Sequence, residues 1–406
     1  MSIIRVSCLK DRLYAPMLDG TFVDSPYDAR RRPPAGRMEG VSPPRLLAAG
    51  SQLGRYLDHM LDREAAGLGD GAPVVVMLHG FLFDPRHAVT VAPKDSDNPH
   101  SRLYHFGFDP SVPAEREEWR HHTSSWPIGL GIAEGDGGVS GLAIGFGWHS
   151  QPGFASSILE VGQNFYARAY DYATLSSWPL VNLLVALAER LGDRPIDLFV
   201  HSLGTRVTLR ALAKAAKLAL EREPVADPDD IARLRGLFRR LGRIVLMGGS
   251  EYVVEAQIFN ERLLSLAARD GWDAGFGPHV YNFGSKENDV LDVLAENFGP
   301  RTFGNSQVIG HNGLETGDRS ARWMDLRIDG WPLRHWMEAF ATDGNPMGFM
   351  VSGDREGNIW DHWYYFTYRN NMAVYRSILR ERPNWTFAAL RAGEGHAGGD
   401  PIAEGF

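Results

Sequence analysis

Residues 196–204 read Ile-Asp-Leu-Phe-Val-His-Ser-Leu-Gly, and this stretch decides the fold. Ile196–Val200 is a short apolar run of the kind that suits a strand covered on both faces. Leu203, Val207, Ala211, Ala215 and Leu218 then fall on one helical face. Strand therefore gives way to helix around Ser202. A serine at such a turn carries its hydroxyl at the C-terminal edge of the sheet, near the helix N-terminus. There the backbone N–H of Leu203 can face a developing oxyanion. Gly204 permits the tight turn and close packing of the helix. The usual elbow pattern is G-x-S-x-G, and Val200 stands where its first glycine would be. The bland reading is a serine in an ordinary strand–helix turn; the strand–turn–helix setting favours a nucleophile.

Outward from the elbow, similar apolar runs recur at Val74–Leu78, Leu142–Phe146, Ile244–Met247, His279–Phe283 and Met324–Ile328. Helical patterns lie between them, with Leu180, Leu183, Leu184, Leu187 and Leu191 on one face. Strand alternating with helix predicts an α/β fold: a mostly parallel sheet flanked by helices. The expected division is an N-terminal extension over residues 1–70, a main domain over 71–383, and a Gly-rich tail over 384–406. The extension opens irregularly and then holds a helix from about Pro44 to Ala66. Residues 84–140, rich in Pro, His, Gly and charge, are too long for an ordinary loop and predict an insertion or lid.

A serine nucleophile needs an oxyanion hole, a base and an orienting acid, expected in the chain order Ser, Asp/Glu, His. His79-Gly80-Phe81 follows the Val74–Leu78 strand and offers the N–H of Phe81 as the second oxyanion donor. Asp289, in the turn Ser-Lys-Glu-Asn-Asp-Val-Leu (285–291), is the expected acid, although an Asp there also suits a helix N-cap. Glu251 is the runner-up and Glu287 a further candidate. Among the late histidines, His362 stands at the mouth of the final helix and is the expected base. His335 sits in an apolar stretch as a core histidine would, His311 precedes the last strand, and His396 lies in the Gly-rich tail.

These residues resemble the α/β-hydrolase superfamily, and more closely bacterial serine-hydrolase-like proteins of unknown function. The likeness runs from about Val74 to Phe366, with a gap at the insertion. It rests on the His-Ser-x-Gly elbow, the Asn-Asp turn at 288–289, Tyr170-Asp171-Tyr172 and the late segment at His362. It also includes the strand end Gly147-Trp148-His149-Ser150, where His149 replaces a usual proline. The resemblance implies an esterase- or lipase-like fold with a Ser202–His362–Asp289 triad and an acyl-enzyme, and no settled substrate. A small-molecule carboxylic ester is the expected substrate. An amidase, thioesterase or acyltransferase using the same triad, or a non-catalytic ligand- or partner-binding protein, are the alternatives.

Composition narrows the field. The chain has 406 residues and a formal net charge of -8, which gives no electrostatic footprint for nucleic acid. Cys8 is the single cysteine, so intramolecular disulfides and Cys-rich metal sites are excluded. His121-His122, near His100 and His105, reads as a solvated loop rather than a metal site. Gly145-Phe-Gly-Trp-His-Ser lacks the third glycine of a dinucleotide fingerprint, so neither cofactor nor metal is expected. Trp323, Trp331, Trp336, Trp360 and Trp363 read chiefly as packing residues. The apolar-rich stretch Trp178–Ala188 is far shorter than the ~20 residues that span a bilayer. No stable membrane insertion and a cytoplasmic location are the expectations, with the oligomeric state left open.

Overall fold

The computed structural model describes residues 3–14, 37–40, 45–85, 98–105, 125–132, 134–135, 138–139, 141–151, 158–221, 227–285, 307–314, 321–328, 333, 336, 362, 364–367, 369–381 and 383–392. Its strands are β1 (Ile3–Leu9), β2 (Arg12–Tyr14), β3 (Arg37–Gly40), β4 (Val74–Leu78), β5 (Glu134–Gly135), β6 (Gly138–Val139), β7 (Leu142–Trp148), β8 (Ile196–His201), β9 (Leu241–Met247), β10 (His279–Gly284) and β11 (Trp323–Arg327). Nine of them form one sheet in the order β11-β10-β9-β8-β4-β7-β1-β2-β3, while β5 and β6 pair separately. Every pairing from β11 across to β1 is parallel, and in this sheet the β1–β2 and β2–β3 pairings are antiparallel.

The helices are α1 (Gln52–Glu64), α2 (Pro99–Arg102), α3 (Trp126–Gly129), α4 (Ile158–Ala188), α5 (Gly204–Leu220), α6 (Pro228–Arg240), α7 (Val253–Asp270), α8 (Ile309–Asn312), α9 (Tyr364–Thr367), α10 (Arg369–Leu379) and α11 (Phe387–Ala392). They cover both faces of the sheet, which explains the continuous apolar runs. In β4, Val74, Val76 and Leu78 face a core shared with α1, α4, α5, α6 and α7. Val75 and Met77 face the opposite core, built with Trp126, Tyr375 and Ile378.

Ile3–Leu9 departs from the expected irregular start. It is a strand of the main sheet, parallel to β7 with Ile4 opposite Ile144 and Val6 opposite Phe146. The run contains Arg5 and Ser7, which break the apolar continuity that marks the other strands. The helix expected from Pro44 starts later, at Gln52, because Ser51 caps it by accepting the Gly54 N–H at 3.1 Å.

Of the 84–140 insertion, residues 98–105 and 125–132 lie against the sheet. Gly145 leaves room for the Tyr104 ring, since a Cβ there would stand 2.5 Å from it. Gly147 does the same for His100, whose Nε2 would lie 2.6 Å from such a Cβ. These glycines of β7 thus serve helix-on-sheet packing. His121 and His122 lie outside the described residues, as do the tail beyond residue 392 and Trp331, Trp360 and Trp363. Among the described residues, no cluster of His, Cys, Asp or Glu could hold a metal ion, and no helix is long and apolar enough to cross a membrane.

Candidate active site at the carboxyl edge of the sheet

From β4 the chain passes to β7 on one side and then returns to β8 on the other. In open parallel sheets, ligands bind outside the carboxyl ends of the strands where the order reverses in this way. The carboxyl ends of β4 and β8 carry His79-Gly80-Phe81 and His201-Ser202-Leu203.

Ser202 is the turn between β8 and α5. Its φ is +53°, in the left-handed region that non-glycine residues seldom occupy. Such a conformation costs on the order of 1–3 kcal/mol and persists only where the surroundings fix it. They do so here through the backbone. The Ser202 N–H donates to Met247 O at 2.9 Å, and its carbonyl accepts from Thr205 N at 2.9 Å and Ser250 N at 3.2 Å. The Thr205 hydroxyl adds a further bond to that carbonyl at 2.7 Å. Close approach to β4 depends on Gly80 and Gly204. A Cβ on Gly80 would meet Ser202 Cβ at 2.6 Å, and one on Gly204 would meet His79 O at 2.6 Å.

The facing loop after β4 is also strained, for Leu82 has φ +72° and is exposed. It is braced from the end of β7. His79 is buried and stacks on Trp148 with ring centroids 5.5 Å apart. Its Nε2 accepts from the Trp148 N–H at 3.0 Å, so Nδ1 bears the proton and donates to Gly80 O at 2.9 Å. The Trp148 indole N–H returns to His79 O at 2.8 Å. Ser150 then pins the next turn, its hydroxyl accepting from Phe83 N and its own N–H donating to Phe83 O, both at 2.9 Å. The Trp-His-Ser end of β7 thus shapes the loop that carries Phe81. Among the described residues, the backbone N–H groups of Phe81 and Leu203 donate no hydrogen bond. Both flank the Ser202 turn.

His362 is brought to this edge from far along the chain. Its carbonyl accepts from His201 Nε2 at 3.1 Å, and the two imidazole centroids lie 4.5 Å apart. Burial lowers the His362 pKa to about 4, so the ring is neutral and able to accept a proton at pH 7. Burial likewise holds His79 down at about 3 and His201 well below the usual histidine value. The Ser202 hydroxyl is paired with the Ser250 hydroxyl at 3.2 Å. Among the described residues it makes no direct bond to the His362 ring.

The acid candidates part company. Asp289 and Glu287 lie outside the described residues, as do His335 and His396. Glu251 is engaged elsewhere: it is fully buried and takes the Arg206 guanidinium at 2.8 and 3.2 Å and the Tyr252 N–H at 3.0 Å. Arg206 Cζ in turn lies over the Tyr170 ring, 3.2 Å from its centroid. His311, on α8, bonds Asn312 Oδ1 through Nδ1 at 2.6 Å. Trp323 and Trp336 are buried packing residues whose indole N–H groups bond Asp325 Oδ1 and Asn384 O.

Two residues beside Ser202 escaped sequence reasoning. Ser250 carries no motif of its own, and its place follows from a tight loop. Gly249 O accepts from Gly310 N at 2.8 Å, and a Cβ on Gly310 would lie 2.4 Å from Gly249 N. His201 sits inside the elbow motif, but its link to His362 spans 161 residues. In comparisons with known proteins, no family model, no curated protein and no solved structure matches the chain.

Proposed function

We propose that the protein is a serine hydrolase of the α/β-hydrolase fold that cleaves small carboxylic esters in the cytoplasm. Ser202 Oγ attacks the acyl carbon while neutral His362 takes its proton. Asp289 orients the imidazole. The N–H groups of Phe81 and Leu203 bind the tetrahedral oxyanion, where losing one donor typically costs about 10²–10³ in rate. His362 then protonates the leaving alcohol, and water releases the acyl group from Ser202 by the same steps in reverse.

The observation that carries this reading is the φ of +53° at Ser202, on a turn between a parallel strand and a buried helix. Strain at a non-glycine residue in a switch-point crevice is a cost that a merely structural serine has no reason to bear. The strand order adds support, because the strand ending in His79-Gly80 lies directly beside the strand ending at Ser202. One observation favours the rival, a non-catalytic binding protein: the Ser202 hydroxyl rests on Ser250.

A fluorophosphonate probe decides between them without a choice of substrate. Covalent labelling mapped to Ser202, and lost in Ser202→Ala, is the expected result. A folded wild-type protein that takes no label overturns the hydrolase reading. A panel of chromogenic esters, amides and thioesters then separates the uses of one triad.

A further inference from the structure

We infer that His201, the residue immediately before the nucleophile, is a positioning residue that locks the main chain of His362 to the elbow. This rests on the hydrolase reading above. A carbonyl oxygen only accepts, so the 3.1 Å contact between His201 Nε2 and His362 O fixes the proton on Nε2. His201 is buried, and desolvation keeps the ring neutral, so it remains a one-proton donor wherever the protein is folded. Packing also holds the ring. It meets Phe366 edge-on with centroids 4.7 Å apart and lies against the His362 ring at 4.5 Å. Its Nδ1 would stand 3.1 Å from a Cβ on Gly80, so glycine there also leaves the imidazole its place.

The arrangement answers a problem set by the topology. Ser202 is fixed by strand hydrogen bonds to β9, whereas His362 reaches the site 161 residues after His201. Misplacing a catalytic group by about 1 Å can cost on the order of 10² in rate. A donor one residue from the nucleophile ties the base to the same rigid strand end. His201 bonds the His362 main chain and packs on its ring, so its proposed effect on the reaction runs through His362.

The test compares His201→Phe, which keeps a flat ring and loses the donor, with His201→Gln, which keeps an N–H at similar reach. Fluorophosphonate labelling rates and the hydrolysis of 4-nitrophenyl butyrate are measured on each. In His201→Phe the labelling rate and kcat are expected to fall about 10- to 100-fold, with KM changed less than about twofold and the melting temperature close to wild type. His201→Gln is expected to recover most of the loss. Wild-type rates in a folded His201→Phe overturn the proposal and leave the hydrolase reading intact. So does a His201→Gln protein as slow as the Phe variant. A wild-type protein that takes no label overturns both. Should the Phe variant not fold, ¹⁵N-histidine spectra of the wild type carry the test. An Nε2–H tautomer at the resonance lost in His201→Gln, unchanged between pH 8 and pH 5, supports the lock. A titrating or Nδ1-protonated ring at that position overturns it.

Discussion

The two ends of β8 spend their polar residues in opposite ways. At the start, Asp197 is buried without strain and takes three bonds from Arg243, from its N–H at 2.7 Å, Nε at 2.8 Å and Nη2 at 2.7 Å. At the finish, Ser202 is buried with a strained backbone, and among the described residues its hydroxyl is held by another hydroxyl at 3.2 Å. The first arrangement answers the desolvation cost of a carboxylate with full pairing. The second accepts a cost in stability and leaves the hydroxyl lightly held. One strand thus separates a fully paired carboxylate from the serine we propose as nucleophile, about five residues apart.

The sharpest break of that contrast is Ser202→Ala. Fluorophosphonate labelling should vanish altogether while the melting temperature stays at or above wild type; a large loss of stability would make Ser202 a structural residue. Next comes Asp197→Ala, which leaves the Arg243 guanidinium buried without its main partner. Breaking such a pair typically costs about 3–5 kcal/mol. Urea denaturation should show that loss, while the labelling rate of the folded fraction stays at the wild-type value.

Acid should act chiefly on the carboxyl edge. His362 and His79 have folded pKa values lowered to about 4 and about 3 from the usual 6.5. Below pH 6.5 the unfolded chain takes up protons that these buried rings refuse, so stability is full above that value and is lost as pH falls toward 4. Each ring contributes about 1.4 kcal/mol per pH unit in that window. Denaturation midpoints measured from pH 8 to pH 5 test the sign, and His79→Phe should flatten the slope. In the same window kcat/KM for an ester should hold, with its acid limb near 4 rather than 6.5. A limb at 6.5 would remove His362 as the buried base.

Gly80→Ala places a Cβ 2.6 Å from Ser202 Cβ. Overpacking of this kind costs about 1–3 kcal/mol, and labelling should slow by at least tenfold because the proposed oxyanion loop is pushed from the elbow. The smallest effect is expected at Leu82, whose φ of +72° suits glycine. Leu82→Gly should stabilise the protein by up to about 1 kcal/mol, read as a rise in melting temperature. A fall would mean that the exposed leucine is held by contacts stronger than its strain.

The fold was legible where one physical signal dominated. Continuous apolar runs located β4, β7, β8, β9, β10 and β11, because helices cover both faces of those strands. The same signal failed at β1, where Arg5 and Ser7 interrupt it. The Arg5 guanidinium finds Tyr104 O at 3.0 Å, and the Ser7 hydroxyl pairs with His100 at 2.9 Å. Those partners come from the insertion, and no local pattern in the first ten residues announces them. The site divides likewise. The places of Ser202, Gly80 and Leu203 were readable because they follow from a local strand–turn–helix geometry. The contacts of Ser250 with Ser202 and of His201 with His362 were not, since each depends on segments that meet only in the folded chain. Asp289 remains a reading of the turn at 285–291.

The bond between His201 and His362 also bears on the making of the protein. A ribosome that has delivered the elbow has still to add about 160 residues before the proposed base exists, because the partners are 161 positions apart. Closing so long a loop is entropically costly, although the cost grows only logarithmically with length. The first strand waits too: β1 pairs with β7, whose residues start at Leu142. The nascent chain therefore completes the Ser202 turn, through Met247 and Ser250, well before the proposed base is made. The hydrolase we propose stays chemically silent until its last third has been synthesised and docked.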